Sequence, residues 1–567
     1  DDHFSHMRQY WNDKLAEIVQ ITTPDQQLNN AHRAGFIYTH IVKDGHATHV
    51  GENGYDQMWD HDATGILASL LTIGYYSEAK DLLRLLPSGG TYADATWKYN
   101  WPWALYLLKT GDIAFAQQYW NTMNSTGRKI GADRTGPGGI MKMTNDIDGT
   151  GYWTIDNYAA LFGLLCYAYN CERLGKATEK QWAESEYSAL LAAANAKMSQ
   201  TVLNNRINYL PVSIVNPNGT GEADEIDANW AAAFFFGRWA WDGWLAGGVQ
   251  NGPLLELVDS TYDYGFALCK KAGLPAHTYG GYPGYSTGYN AGYGAAGMRG
   301  DKYRTEAIRN YQFMISNTQS GPFSWWESIG DPYATAWEGT HPWGGTGSCP
   351  HIWGQSSATK VLVESVIAEF YDGRVLVGRG VPTEWLEQGF SADNFPISGN
   401  KRMGIAAKAI AKRQVRLDID GAQPAGKIIF DLPVFVNNTA SATAGTIDAA
   451  KGTVTLDPSV RTVTVTTKSD LPVSATSMRH AAAVSRSGAH FQVRNNRLYL
   501  NQQPTGTLNG SSVHLYTLNG KMAASIVLRD EMLSKGISLN GFAAGSYIVK
   551  LQHANGLAGE AVALTVR

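Results

Sequence analysis

No run of apolar residues in this 567-residue chain approaches the roughly 18 that a membrane-crossing helix needs, so no helical span is expected. An excess of either charge is missing as well: 46 lysines and arginines stand against 50 aspartates and glutamates, for a net charge of −4, with no basic stripe. Nucleic acid and anionic membrane surfaces are held through such stripes and are not expected as partners. Cysteine is scarce. Cys166, Cys171, Cys269 and Cys349 show no CxxC spacing, which leaves a structural zinc site or redox motif without support. They read as small buried side chains, and a Cys166–Cys171 bridge would join opposite sides of one helical segment. Charged residues make up only 17% against 44% hydrophobic, the balance of a globular rather than a disordered chain. A single core stops growing near roughly 250–300 residues, so two or three domains are expected.

Aromatic rings, in contrast, are plentiful: 18 Trp and 29 Tyr among the 11% aromatic residues. A ring face is what a neutral polar ligand such as a sugar stacks on while its hydroxyls reach hydrogen-bonding side chains. Tryptophan is absent beyond Trp385, and this break in composition divides the chain near residue 371. Before it, apolar residues recur at helical spacing, as in Ala63–Ile73, Ser77–Leu86, Trp103–Leu108, Ala114–Met123, Tyr158–Leu174, Lys180–Met198, Trp230–Leu245, Leu254–Ala272, Tyr303–Ile315 and Ala358–Phe370, with no strand run between them. After it, alternating β-branched residues (Lys427–Leu432, Thr453–Leu456, Thr462–Thr467) mark strands. The reading is a helical domain over 1–371, a small antiparallel β domain over 372–468, a Ser/Ala-rich linker over 469–488 and a β-rich segment over 489–567.

The helical part has connections that alternate between long and short. Counting from a helix near Asn30–His40, the long gaps are 41–58, 87–100, 129–153, 204–229, 273–286 and 319–356. Twelve helices with such alternation describe an (α/α)6 toroid, in which every second loop emerges on one face. Bundle loops usually hold 2–8 residues, so long loops converging on one face are expected to bind something.

These loops read GENGYDQMWDHD (51–62), GGTYADATWKYNWPW (89–103), MTNDIDGTGYW (143–153), NPNGTGEADEIDANW (216–230), HTYGGYPGYSTGYN (277–290) and WWESIGDPYATAWEGTHPWGGTGSCPHIWG (325–354). Aromatic rings and polar groups occur together in each, and most carry carboxylates. Any single Asp could be a helix cap. Together they suit glycosidic bond cleavage, which needs one carboxyl group to protonate the leaving oxygen and another to activate water. Loops five and eleven of such a ring face each other across its mouth. They hold Asp146 and Asp148 on one side, and Glu327, Asp331 and Glu338 on the other.

Three of these segments carry a resemblance. YDQMWDHD before an apolar helix, Asp148-Gly-Thr-Gly-Tyr-Trp153, and Trp326-Glu327 followed by Ser348-Cys-Pro-His-Ile-Trp353 resemble the six-hairpin glycosidases, which include glucoamylases, trehalases, bacterial α-glucosidases and α-L-rhamnosidases. The resemblance covers residues 1–385, although the large β-sandwiches that usually precede a rhamnosidase ring are missing and His61 stands where glucoamylases carry Arg. It implies a secreted, exo-acting, inverting glycoside hydrolase on an α-linkage of an oligo- or polysaccharide, with Asp148 as general acid, Asp146 as the alternative acid and Glu327 as general base. It further implies that Asp60, Asp62 and Asp156 bind hydroxyls, that Trp59, Trp326 and Trp343 wall the pocket, and that His341 and His351 orient groups. Tyr55, Trp153, Glu225, Trp230 and Trp353 complete the expected lining. No metal or cofactor is expected, and the chain should act as a monomer. The alternatives are a glycoside phosphorylase on the same ring and a polysaccharide-binding protein without catalysis.

Val375–Pro382 (VLVGRGVP) and Trp385 resemble the entry to the small β domain that often follows this ring. VHLYTLNGKM (513–522) and FAAGSYIVKL (542–551) resemble the C-terminal sorting domain of bacterial type IX secretion, with Phe542 in place of the usual Leu. That resemblance implies contact with secretion machinery and a bacterial cell-surface or secreted location, which a start at Asp1 without Met also suits. A carbohydrate-binding β-sandwich is the other reading of this segment.

Overall fold

The structure is a computed structural model that describes residues 2–52, 55–87, 92–146, 149–216, 251–272, 285–286, 297–299, 302, 304, 319–321, 323–329, 337–338, 341–342, 345–472, 491–494, 497–500, 511–517, 522–529, 532, 537–539, 545–552 and 558–566. The chain divides into two compact units, Asp1–Met478 and Arg479–Arg567.

Among the described residues of the first unit the helices are α1 (Asp2–Glu17), α2 (Gln26–Ile41), α3 (Asp60–Ile73), α4 (Ala79–Arg84), α5 (Ala93–Trp97), α6 (Asn100–Thr110), α7 (Ile113–Gln118), α8 (Trp120–Ala132), α9 (Thr154–Arg173), α10 (Ala177–Asn205), α11 (Pro253–Glu256), α12 (Val258–Ala272) and α13 (Ile352–Val366). Burial sorts them into two layers. Every residue of α3 and of α13 is buried, as are most of α6 and α9, so these helices are enclosed on all sides. By contrast, α8 buries only Met123, Thr126, Gly127 and Ile130, and α10 only one stripe from Ala183 to Thr201, so each covers the inner layer with a single face. Neighbouring inner helices pack in the order α13, α3, α6, α9, with α2 against α13 and α10 against α9. Pro102 lies in the first turn of α6, where its missing N–H has no intrahelical partner to lose.

Short connections follow the inner helices. Gly74 ends α3 and Gly111 ends α6, both in the left-handed region (φ 94° and 69°), a conformation glycine adopts without the Cβ penalty. Asp112 then caps α7 by accepting the Phe115 N–H. Several expected helices shift at their ends, and two differ more. The stretch expected as one helix over Ala114–Met123 breaks at Tyr119 into α7 and α8, and α1 arises from a segment without an apolar stripe, none of its residues being buried. The expected helices at Trp230–Leu245 and Tyr303–Ile315 lie outside the described residues or nearly so.

The helical part does contain strands, contrary to the sequence reading. Gln20–Thr22 is too short for a visible alternation, yet it forms the edge of a six-stranded antiparallel sheet by pairing with Phe390–Ile397, and the sheet continues through Lys401–Ala411, Gln414–Gly421, Thr462–Thr467 and Thr439–Ala442. A second sheet contains Ile367–Glu369, Val375–Val377, Ile428–Asp431, Thr453–Leu456 and Thr446–Asp448, and only its Val375–Val377 to Ile428–Asp431 pairing is parallel. The alternate residues Val415, Leu417 and Ile419 are buried and join one continuous core with the helices.

The sheets cover the C-terminal ends of the inner helices. Val366 of α13 passes directly into the strand at Ile367, Lys109 at the end of α6 pairs with Glu369 at 2.7 Å, and Arg402 donates to the Gly74 carbonyl at the end of α3. The N-terminal ends of these helices are therefore left to face the long loops.

The second unit holds a three-stranded sheet (Phe491–Arg494, Arg497–Leu500, Ile537–Ser538) and a four-stranded one in the order Met522–Val527, Ser512–Thr517, Gly545–Gln552, Ala558–Val566, all antiparallel.

Candidate active site

The long loops are tied to one another at the N-terminal ends of α3, α5, α9 and α13. Ile352 donates its N–H to the Val50 carbonyl at 2.6 Å, and Gly51 bridges to His351, so the first loop runs beside the last. His351 in turn donates its N–H to Trp325 at 2.9 Å, and Glu327 donates its N–H to Ser348 at 3.0 Å. Tyr152–Trp153 pairs with Ser213–Val215, which fastens the entry of α9. The last loop, where no strand run is expected, carries short strands: Ser328–Ile329 pairs with both Gly345–Thr346 and Tyr285–Ser286, and Trp337–Glu338 pairs with His341–Pro342.

Within this frame, carboxylates gather in the first turns of three helices. Asp60 and Asp62 open α3, Asp94 opens α5 and Asp156 opens α9, and all four are buried. The N-terminal end of a helix carries partial positive charge and unsatisfied N–H groups, so a carboxylate there is stabilised. Asp146 shows this directly. One of its oxygens accepts the Ala93 N–H at 3.0 Å and the other the Asp94 N–H at 2.9 Å, so a residue of the third long loop closes the end of α5.

Asp94 connects α5 to α3. Its Oδ1 lies 2.6 Å from His61 Nδ1 and its Oδ2 lies 2.8 Å from the buried ammonium of Lys98, one helical turn further on. The His61 ring also packs on Tyr92, with centroids 4.7 Å apart. In the first turn of α9, Asp156 Oδ2 accepts the Thr144 hydroxyl at 2.6 Å. Burial, and then the Asp94 carboxylate, push the Asp146 pKa up to about 7 against the pull of its two N–H donors. Burial followed by the Asp146 charge raises Asp156 well above the ordinary carboxylate range. A carboxyl group that holds a proton near neutrality is what a general acid requires.

Aromatic rings border this cluster. Tyr55 and Trp59 lie with centroids 5.1 Å apart, and Tyr55 approaches His351 at 6.2 Å, which meets Trp353 edge to face at 5.3 Å. Trp353 and His351 are buried, whereas Tyr55, Trp59, Trp326 and Glu327 are half-buried. Trp153 is buried too, its indole N–H donating to the Gly149 carbonyl at 3.1 Å, and it belongs to the hydrophobic core. The Glu327 carboxyl lies against Gly347, whose φ of 76° and lack of a Cβ leave room for it.

The structure thus brings together Tyr55, Trp59, Asp60, Asp62, Asp146, Asp156 and His351, and ties the segment carrying Trp326 and Glu327 to them through the backbone. Asp148, Glu225, Trp230 and Trp343 lie outside the described residues, and of His341 only the backbone is described. Asp94 and Lys98 were not singled out from the sequence, although their four-residue spacing in YADATWKYN is that of an ion pair on one helix face. Among the described residues no group of three or more His, Cys, Asp and Glu could hold a metal ion.

No protein-family model matches this chain. No curated protein matches its sequence. Solved structures do match in fold. The GH78 family rhamnosidase of Bacillus sp. GL1 is 14% identical, with a TM-score of 0.50 over 72% of this chain and 42% of that one. The Streptomyces avermitilis α-L-rhamnosidase, solved with L-rhamnose, is 13% identical, with a TM-score of 0.48 over 79% of this chain and 42% of that one. The chain therefore spans less than half the length of each of these two proteins. At this identity the likeness is one of fold alone: helices with antiparallel sheets.

Proposed function

We propose that this chain is a glycoside hydrolase that cleaves an α-linked glycosidic bond at the end of an oligo- or polysaccharide with inversion. The observation that carries the reading is the set of buried carboxylates Asp60, Asp62, Asp94, Asp146 and Asp156 at helix N-termini, bordered by Tyr55 and Trp59 and backed on the neighbouring loop by Glu327. The fold likeness to a rhamnosidase supports the same reading, and the described inner and outer helices suit an (α/α)6 ring.

In this mechanism Glu327 is the general base that takes a proton from the attacking water, and Asp148 is the general acid that protonates the leaving oxygen. Asp146 already gives both oxygens to α5, which favours Asp148, two residues further on, over Asp146 as the acid. Inversion needs room for water, so the Asp148 and Glu327 carboxyl groups should be about 6.5–9.5 Å apart. Asp60 and Asp62 accept hydrogen bonds from sugar hydroxyls, and Tyr55, Trp59, Trp326 and Trp343 offer ring faces to the sugar. The second unit serves secretion or surface attachment, and the enzyme acts as a monomer outside the cell.

The test is to incubate the purified protein with a panel of α- and β-linked oligosaccharides, α-L-rhamnosides among them, and to separate the products by chromatography with and without phosphate. Release of a free terminal sugar without phosphate supports the reading. A phosphorylated sugar would make the protein a phosphorylase, and binding without cleavage would make it a lectin-like protein.

A further inference from the structure

A cavity of about 530 Å³ opens on the solvent face of the six-stranded sheet, a volume inside the roughly 300–1,000 Å³ of small-ligand sites. Along Lys401–Ala411 the exposed Ala406, Lys408 and Ile410 line it, while Arg416 and Asp418 alternate with the core residues Val415, Leu417 and Ile419 on the next strand. The other face of this sheet packs on the helices, so the cavity is separate from the site at the long loops. Its charges are arranged for an anion. Lys408 and Arg416 are direct register partners, and like charges opposed across an antiparallel pair are destabilising. Arg416 is offset by Asp418 Oδ1, which lies 2.8 Å from its Nε and 2.7 Å from its Nη2 and accepts the Thr462 hydroxyl at 2.6 Å. Lys408 has no ion pair among the described residues. Its stem runs along Gly389, where a Cβ would come within 2.9 Å of the Lys408 Cβ and 3.7 Å of its Cδ, so close packing directs the side chain. The register partners Thr22 and Ser391, with Gln388, add side-chain donors and acceptors that make no hydrogen bond among the described residues. Asp393 and Asp420, two residues along from Ser391 and Asp418 on the same face, confine an anion to the Lys408 end.

We propose that this cavity is a non-catalytic binding site for a negatively charged sugar residue of a polysaccharide. The carboxylate or sulfate of that residue pairs with Lys408, and its hydroxyls bond Thr22, Ser391, Gln388 and Asp418. Two cations against one carboxylate leave a single positive charge in the lining, which matches one anionic group per sugar. Phe390 is the ring of the lining, but it is only 3% exposed and offers no face to stack on, so charge rather than stacking selects the ligand. An inorganic anion would leave most of the volume to water, whereas a sugar fills it and uses the hydroxyl partners. That the ligand is a sugar rests on the glycosidase reading; the anion site does not. A polymer held here is tethered apart from the long loops, which raises the local concentration of substrate without contact at the reacting bond.

Isothermal titration calorimetry of the full chain with trigalacturonate, with a trisaccharide of sulfated galactose and with neutral galactotriose tests the site without turnover. At least one acidic trisaccharide should bind about tenfold or more tighter than galactotriose, and which of them binds separates carboxylate from sulfate. Lys408→Met keeps the stem and removes the charge, so it should weaken the acidic ligand on the order of 10–100-fold and leave galactotriose unchanged. The proposal is overturned if neither acidic trisaccharide binds, if Lys408→Met binds them as wild type does, or if sodium sulfate binds as tightly as they do. Lys408→Met should also keep the wild-type rate on the oligosaccharide found by the screen; a tenfold loss would overturn the non-catalytic role. If the screen yields no substrate, the glycosidase reading fails while the titration still decides this site.

Discussion

Asp94 Oδ1 lies 2.6 Å from His61 Nδ1, which joins the first turn of α5 to the first turn of α3 beneath the long loops. Because Asp94 also faces Lys98, this one carboxylate fixes the relative position of two helices that open onto the site. The Asp94–Lys98 pair is buried, so removing one partner leaves an uncompensated charge. Asp94→Asn should lower stability by about 3–5 kcal/mol in urea denaturation, and Asp94→Asn combined with Lys98→Met should lose less than the sum of the single changes.

Gly347 gives a way to move Glu327 without altering it. A Cβ at this position would collide with the Glu327 carboxyl. Gly347→Ala should therefore reduce kcat on the order of 10–100-fold, as a misplaced catalytic group does. Gly163→Ala, whose Cβ would strike the Trp97 carbonyl between α9 and α5, should instead lower stability by about 1–3 kcal/mol. Melting curves beside initial rates separate the two effects.

Acid should weaken the fold through His32. Burial lowers its pKa from 6.5 to about 4, and its Nε2–H donates to the Val19 carbonyl at 2.8 Å. Between those values the unfolded chain takes up a proton that the folded chain does not, so this part of the stability is present above pH 6.5 and is lost as pH falls toward 4. Asp146 acts in the opposite sense: its raised value favours the fold at low pH, and that contribution is lost as pH rises toward 7. His32→Leu should be less stable than wild type at pH 7 and should lose less stability on going to pH 4.5, measured by denaturant midpoints.

The continuous core of the first unit extends to Leu471, and the second unit begins at Arg479. A chain ending at Met478 should keep its melting temperature and its rate on a soluble oligosaccharide, because a unit with its own core folds by itself. A tenfold loss of rate would assign part of substrate binding to the tail.

Much of this arrangement is legible in the sequence because burial imposes a period. The apolar runs of α3 and α9 mark helices, and alternation in Thr462–Thr467 marks a strand. What the sequence hides is pairing at a distance. Gln20–Thr22 has no pattern of its own and becomes a strand only because Phe390–Ile397 lies beside it. Asp146 reads as a catalytic candidate, and only the positions of the Ala93 and Asp94 N–H groups reveal that it closes a helix. Asp94 and Lys98 look like an exposed helix pair, and their burial comes from α3 and α9 packing over α5.

The central claim is that Glu327 activates the attacking water. The measurement that tests it most directly is kcat and KM of Glu327→Gln on the oligosaccharide that wild-type protein cleaves. The expected result is a fall in kcat on the order of 10²–10⁴ with little change in KM, the contribution of a positioned base. A near-normal kcat in this variant would contradict the mechanism in its central residue.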